Sequence, residues 1–131
     1  MEMNITYKDG KKFIATCRKH EVIIDQPIDN DGKDEGATPP ELFIASLGSC
    51  IGVYVLAYCK NAGIKTEGMT INVKWEKAKN PDRIGEIKVD IKLQEDVGKR
   101  KAALLKVAEH CLIHNTILHQ PKMEIEISTL G

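Results

Sequence analysis

The sequence predicts an α+β fold with antiparallel strand pairing, and three observations carry that prediction. Strand-like alternation comes in pairs separated by turn residues, as in hairpins. One long uncharged run carries helix signals at both ends. Strands and helices are grouped, without the βαβ rhythm that would call for a parallel sheet. The 131 residues fit one domain, expected over 1–131, and 42% hydrophobic with 29% charged residues is an ordinary soluble composition. Lys+Arg and Asp+Glu balance at 19 each, which removes the basic excess of nucleic-acid binders, and 5% aromatics are too few for a base-stacking platform.

Met3, Ile5 and Tyr7 alternate with polar residues, Lys8-Asp9-Gly10-Lys11 turns the chain, and Phe13, Ala15 and Cys17 alternate again. A third run, Val22-Ile23-Ile24, leads into a Gly/Asp/Asn-rich loop over 26–38. Thr38-Pro39-Pro40-Glu41 reads as a capping box, with Thr38 as N-cap, proline at N1 and Glu41 at N3. The helix it opens is expected to end at Asn61-Ala62-Gly63, where Gly63 suits the left-handed terminating position. Between Leu42 and Cys59 it carries no charge, so burial on every face is expected. That run and Gly48-x-x-x-Gly52 also fit a bilayer span, but flanking strand patterns, Ser46 and Ser49, and the lack of a one-sided Lys/Arg flank favour a helix packed in a soluble core.

Ile71, Val73 and Trp75, then Ile87, Val89, Ile91 and Leu93, alternate around an Asn80-Pro81-Asp82-Arg83 turn, a second hairpin with one wet face. Ala102, Leu105 and Ala108 lie at helical spacing within 97–110, a break is expected near Cys111, and a short helix over 112–119 precedes a last strand at Met123, Ile125 and Ile127. The expected order is βββ-α-ββ-α-α-β. The charged start lacks the apolar stretch of a secretory signal, so the cytoplasm is the expected compartment and free thiols the expected cysteine state.

Cys17 and Cys59 occupy a strand and the far end of the long helix, where cysteine commonly acts as a small hydrophobe. Cys50 sits among small residues in Gly48-Ser49-Cys50-Ile51-Gly52, and Cys111 lies where a new helix begins. Both positions suit thiol chemistry, and plain core cysteines remain the alternative for each. The two are 61 positions apart, so spacing alone does not pair them.

The stretch from Gly36 through Thr38-Pro39-Pro40-Glu41-Leu42 to Cys50, followed by His110-Cys111-Leu112-Ile113-His114-Asn115-Thr116, closely resembles the OsmC/Ohr family of thiol-dependent peroxidases. The resemblance spans nearly the whole chain. It implies an intertwined homodimer with paired central helices and active sites at the subunit interface. It also implies a peroxidatic Cys50, a resolving Cys111, an organic hydroperoxide as substrate and an external dithiol or lipoylated protein as reductant, with no metal or other cofactor. A cleft built from Leu47, Ile51 and partner side chains would favour organic hydroperoxides, which have apolar surface to bury.

Two positions depart from the family pattern. Where the family's peroxidases carry a thiol-activating arginine near the first turn, this chain has Lys8, with Arg18 at the second turn as a substitute candidate; lysine lacks the bidentate fork. The glutamate that orients that arginine corresponds to Glu41, nine residues before Cys50. At about 100° per residue this places the two on opposite sides of a straight helix, so Glu41 is read as a cap as well as a catalytic candidate. Two other readings compete: a non-enzymatic redox sensor or binder of a small apolar ligand, and a metal site drawn from His110, Cys111 and His114.

Overall fold

Gly10, at φ 51°, supplies the left-handed residue of the first turn, and the strands on either side follow from it. In the computed structural model, which describes residues 1–131, β1 (Asn4–Asp9), β2 (Lys12–Cys17) and β3 (His20–Ile24) form an antiparallel sheet in that order. Tyr7 pairs with Phe13 and Ala15 with Val22, so Ile5, Tyr7, Phe13, Ala15, Val22 and Ile24 share one face. The Tyr7 and Phe13 rings meet edge to face with centroids 5.5 Å apart.

The polar loop after β3 is closed by one carboxylate. Asp25, 1% exposed, accepts hydrogen bonds from the backbone N–H groups of Gln26 (2.7 Å), Glu35 (3.1 Å) and Lys33 (3.3 Å). The Gln26 N–H, aided by those of Glu35 and Lys33, holds its carboxyl below the usual carboxylate range against the opposing effect of burial. A depressed folded-state pKa means that this stabilisation is complete above the ordinary carboxylate pKa and is lost as the pH falls through the folded value. Asp25→Ala, which orphans the three donors, is expected to lower Tm at pH 7 by about 5–10 °C. Melts repeated in acid should show the gap to wild type closing; an unchanged Tm at pH 7 would contradict this role.

Helix α1 (Pro39–Ala62) starts as its sequence dictates: the Thr38 N–H donates to Glu41 Oε1 at 2.8 Å and the Glu41 N–H to Thr38 Oγ1 at 3.4 Å. It stops at Gly63, φ 73°, where the Ile64 N–H reaches back to the Cys59 carbonyl at 2.9 Å. Ile44, Leu47, Ile51, Val55 and Cys59, three or four residues apart, form its buried stripe, each aliphatic side chain stabilising by about 1.5–3 kcal/mol. Phe43, Val53 and Tyr54 remain exposed, so burial follows one stripe in the single chain and not every face. By length and composition α1 would also cross a membrane: its most apolar 18-residue stretch has mean hydropathy 2.0, with 39% of it buried.

Strands β4 (Thr70–Ala78) and β5 (Arg83–Lys92) form the expected hairpin, with Ile71, Val73 and Trp75 half-buried against exposed Asn72, Lys74 and Glu76. A Cβ on Gly52 would stand 2.9 Å from Ile71 Cδ1, so the glycine accommodates a strand residue. After a 3-10 turn at Gly98–Arg100 come α2 (Lys101–Glu109) and α3 (Leu112–Leu118), separated by the break at Cys111. The buried face of α2 carries Leu104 and Ala108, one turn apart, while Leu105 turns outward, a one-residue rotation from the expected stripe.

The last expected strand does not form. Residues 120–131 have no regular structure, and Met123, Ile125 and Ile127 are exposed. A strand needs an edge to pair with, and alternation alone does not supply one. The observed order is therefore βββ-α-ββ-α-α. The chain forms two compact units, one of Met1–Ser46 with Val73–Lys88 and one of Leu47–Asn72 with Val89–Gly131.

Candidate active site

Both thiols singled out from the sequence belong to the second unit, and the fold brings them together. Cys50 is half-buried on α1 between two buried glycines, Gly48 and Gly52. Cys111 is fully buried at the junction of α2 and α3, where an extended backbone (φ −65°, ψ 148°) makes it the N-cap of α3 and its Sγ accepts the His114 N–H at 3.2 Å.

The Cys50 thiol lies close enough to Cys111 to bear on its titration. Burial pushes the Cys111 thiol up; the His114 N–H pulls the other way, and the neighbouring Cys50 thiol adds to the rise. Cys111 thus keeps its proton at neutral pH. A disulfide between them would bring the two sulfurs to roughly 2.05 Å. All four cysteines are free. Cys17 sits on β2 with its S–H 3.6 Å from the Glu2 carbonyl, and Cys59 is fully buried, its thiol pushed up by burial and then by the Glu95 charge.

Lys8, Arg18 and Glu41 lie in the first unit. Lys8 is exposed on β1 and Arg18 at the β2–β3 turn, and the ion pairs of the chain involve neither. Glu41 is engaged in the capping box, where the Thr38 backbone N–H and hydroxyl hold its carboxyl below the usual range. Leu47 and Ile51, expected to line a cleft, are instead buried in the helix stripe.

The open surface beside Cys111 is a different one: a groove of about 590 Å3 lined by Tyr54, His110, Leu112, Asn115, Thr116 and His119. Tyr54 follows Cys50 by one helical turn, and His110 and Leu112 bracket Cys111. That i,i+4 relation was the available sequence signal for Tyr54; nothing local marked Asn115 or Thr116. His110, His114 and His119 each direct Nδ1 at a backbone carbonyl, of Lys106, Glu109 and Asn115 respectively. No three His, Cys, Asp or Glu side chains are grouped to hold a metal ion.

The family model for OsmC-like proteins matches residues 32–126, a span that includes the Thr38–Glu41 cap and both thiols. The chain belongs to the OsmC-like family. Solved structures of similar shape agree. A candidate osmotic-stress-induced and detoxification response protein from Psychrobacter arcticus 273-4 is 25% identical at a TM-score of 0.79, over 87% of this chain and 85% of that one. An OsmC-like protein from Mycoplasma pneumoniae is 16% identical at a TM-score of 0.77, over 91% and 87%. An organic hydroperoxide resistance protein, OsmC, from Legionella pneumophila is 16% identical at a TM-score of 0.63, over 89% of each chain. No curated protein matches the sequence. The OsmC-like assignment accounts for the mixed α+β architecture with its two small antiparallel sheets.

Proposed function

We propose that this OsmC-like chain is a thiol-dependent peroxidase that reduces organic hydroperoxides through Cys50 and Cys111. The observation that carries the reading is that the half-buried Cys50 and the fully buried Cys111 are neighbours, the Cys50 thiol adding to the rise of the Cys111 thiol. Family membership and a similar fold in an organic hydroperoxide resistance protein support it.

Chemistry assigns the order of events. The Cys50 thiolate attacks the terminal peroxide oxygen; an S–O bond forms, the O–O bond breaks, and the leaving alkoxide takes a proton to give the alcohol. Cys50, now a sulfenic acid, has lost two electrons to the peroxide. The Cys111 sulfur attacks it, a disulfide forms and water leaves. An external dithiol then reduces the disulfide by two exchanges and is itself oxidised. Accessibility sets the division of labour, since a peroxide can reach the half-buried thiol and not the enclosed one. In this reading Glu41 serves as the cap of α1, and Lys8 and Arg18 supply surface charge.

Repeated consumption of cumene hydroperoxide in the presence of dithiothreitol is the expected result. Consumption that stops after one equivalent per chain would replace the enzyme with a sensor.

The working form we propose is a homodimer. Ile125 is 92% exposed and alternates with Met123, Ile127 and the intervening Glu124 and Glu126, a strand pattern lacking a partner, while Ile5, Tyr7 and Val22 leave the β1–β3 sheet face partly open. Sedimentation equilibrium should return twice the chain mass; a monomer at micromolar concentration would contradict it.

A further inference from the structure

The groove of Tyr54, His110, Leu112, Asn115, Thr116 and His119 has a hydrogen-bonding polarity that follows from bonds already made. A backbone carbonyl only accepts, so the His110 Nδ1 facing the Lys106 carbonyl and the His119 Nδ1 facing the Asn115 carbonyl both carry the ring proton. In this tautomer the other ring nitrogen, Nε2, keeps its lone pair. Thr116 spends its hydroxyl proton on the Leu112 carbonyl at 2.8 Å, and Asn115 gives one amide proton to the His110 carbonyl at 3.3 Å. The groups lining the groove have thus used their donors internally and keep acceptors: two Nε2 atoms, Thr116 Oγ1 and Asn115 Oδ1. Against these stand one remaining Asn115 N–H and the Tyr54 hydroxyl. None of the lining residues is an Asp, Glu, Lys or Arg.

We infer that this groove selects the organic part of the substrate, and that it takes a hydroperoxide carrying an N–H donor, as an ammonium, amine or amide, in preference to a plain hydrocarbon one. The inference rests on the peroxidase reading above and deepens it. A hydrocarbon laid in the groove strips water from four acceptors and returns nothing, and unpaired polar groups cost more than paired ones return. A carboxylate finds no cationic side chain among the lining residues. An N–H group pairs with the acceptors, and an ammonium also gains from the face of the Tyr54 ring, while Leu112 packs against the carbon skeleton.

The matched pair of cumene hydroperoxide and its para-aminomethyl analogue tests this. In steady state with dithiothreitol, kcat/KM is expected to favour the aminomethyl compound by about tenfold, and His119→Phe, which removes one acceptor, should bring that ratio toward one. Equal kcat/KM for the two peroxides in the wild type would overturn the inference and leave the peroxidase reading standing. If neither peroxide is turned over, the peroxidase reading fails, and the redox-inert para-aminomethyl cumyl alcohol decides the groove by itself. Saturable NMR shifts of the His110 and His119 ring protons with this alcohol, absent with plain cumyl alcohol, would sustain the selectivity; no shifts would end it.

Discussion

Serine in place of Cys50 is expected to lower kcat/KM for cumene hydroperoxide by about three orders of magnitude or more, to the level of the uncatalysed reaction with dithiothreitol. The attacking species is a thiolate, and a serine hydroxyl is neither ionised near neutral pH nor able to accept an oxygen atom onto a polarisable centre. The change removes only the sulfur's chemistry. Cys50 is half-buried, its neighbours Gly48 and Gly52 are untouched, and serine is the near-isosteric replacement, so the melting temperature should stay close to that of the wild type. Stopped-flow or coupled assays of peroxide loss provide the check. Retention of more than about a tenth of wild-type kcat/KM would show that another group performs the oxidation.

Cys111→Ser separates resolution from attack. Without Cys111 the Cys50 sulfenic acid has lost its neighbouring thiol, so one equivalent of hydroperoxide should leave a species heavier by one oxygen instead of a Cys50–Cys111 disulfide. Excess peroxide should carry it on to the sulfinic acid, with activity falling by about tenfold or more over successive turnovers. Serine keeps the structural role: its hydroxyl is a better N-cap than a thiol and can still accept the His114 N–H. In the wild type the raised Cys111 pKa carries its own signature. The resolving thiolate becomes more abundant as the pH rises above neutral, so disulfide closure after a peroxide pulse should accelerate with pH and slow toward acid. Closure that is flat across that range would contradict Cys111 as the resolving group.

Much of the fold was legible in short segments because local chemistry determined them. The Gly10 turn, the reciprocal Thr38–Glu41 bonds, the stop at Gly63 and the break at Cys111 stand where turn and cap chemistry places them. What depended on tertiary partners was harder to read. The alternation at Met123, Ile125 and Ile127 resembles a strand, yet pairing needs an edge and the segment stays unpaired. Leu47 and Ile51 are apolar and near Cys50, but the periodicity that marks them as apolar does not say whether they meet a ligand or the core. The nearness of Cys50 to Cys111, across 61 positions, is a product of folding; family resemblance suggested it, and spacing could not. The acceptor-rich groove was hidden for another reason. Its character comes from where His110, Asn115, Thr116 and His119 spend their protons, which only the backbone carbonyls facing them reveal.

The most direct test is peptide mass spectrometry, without reductant, of the full chain treated with one equivalent of cumene hydroperoxide. The expected product is a cross-linked pair of peptides containing Cys50 and Cys111, lighter than the two thiol forms by two hydrogens, with Cys17 and Cys59 still reduced. Oxygen added at Cys17 while Cys50 and Cys111 both remain free thiols would contradict the account.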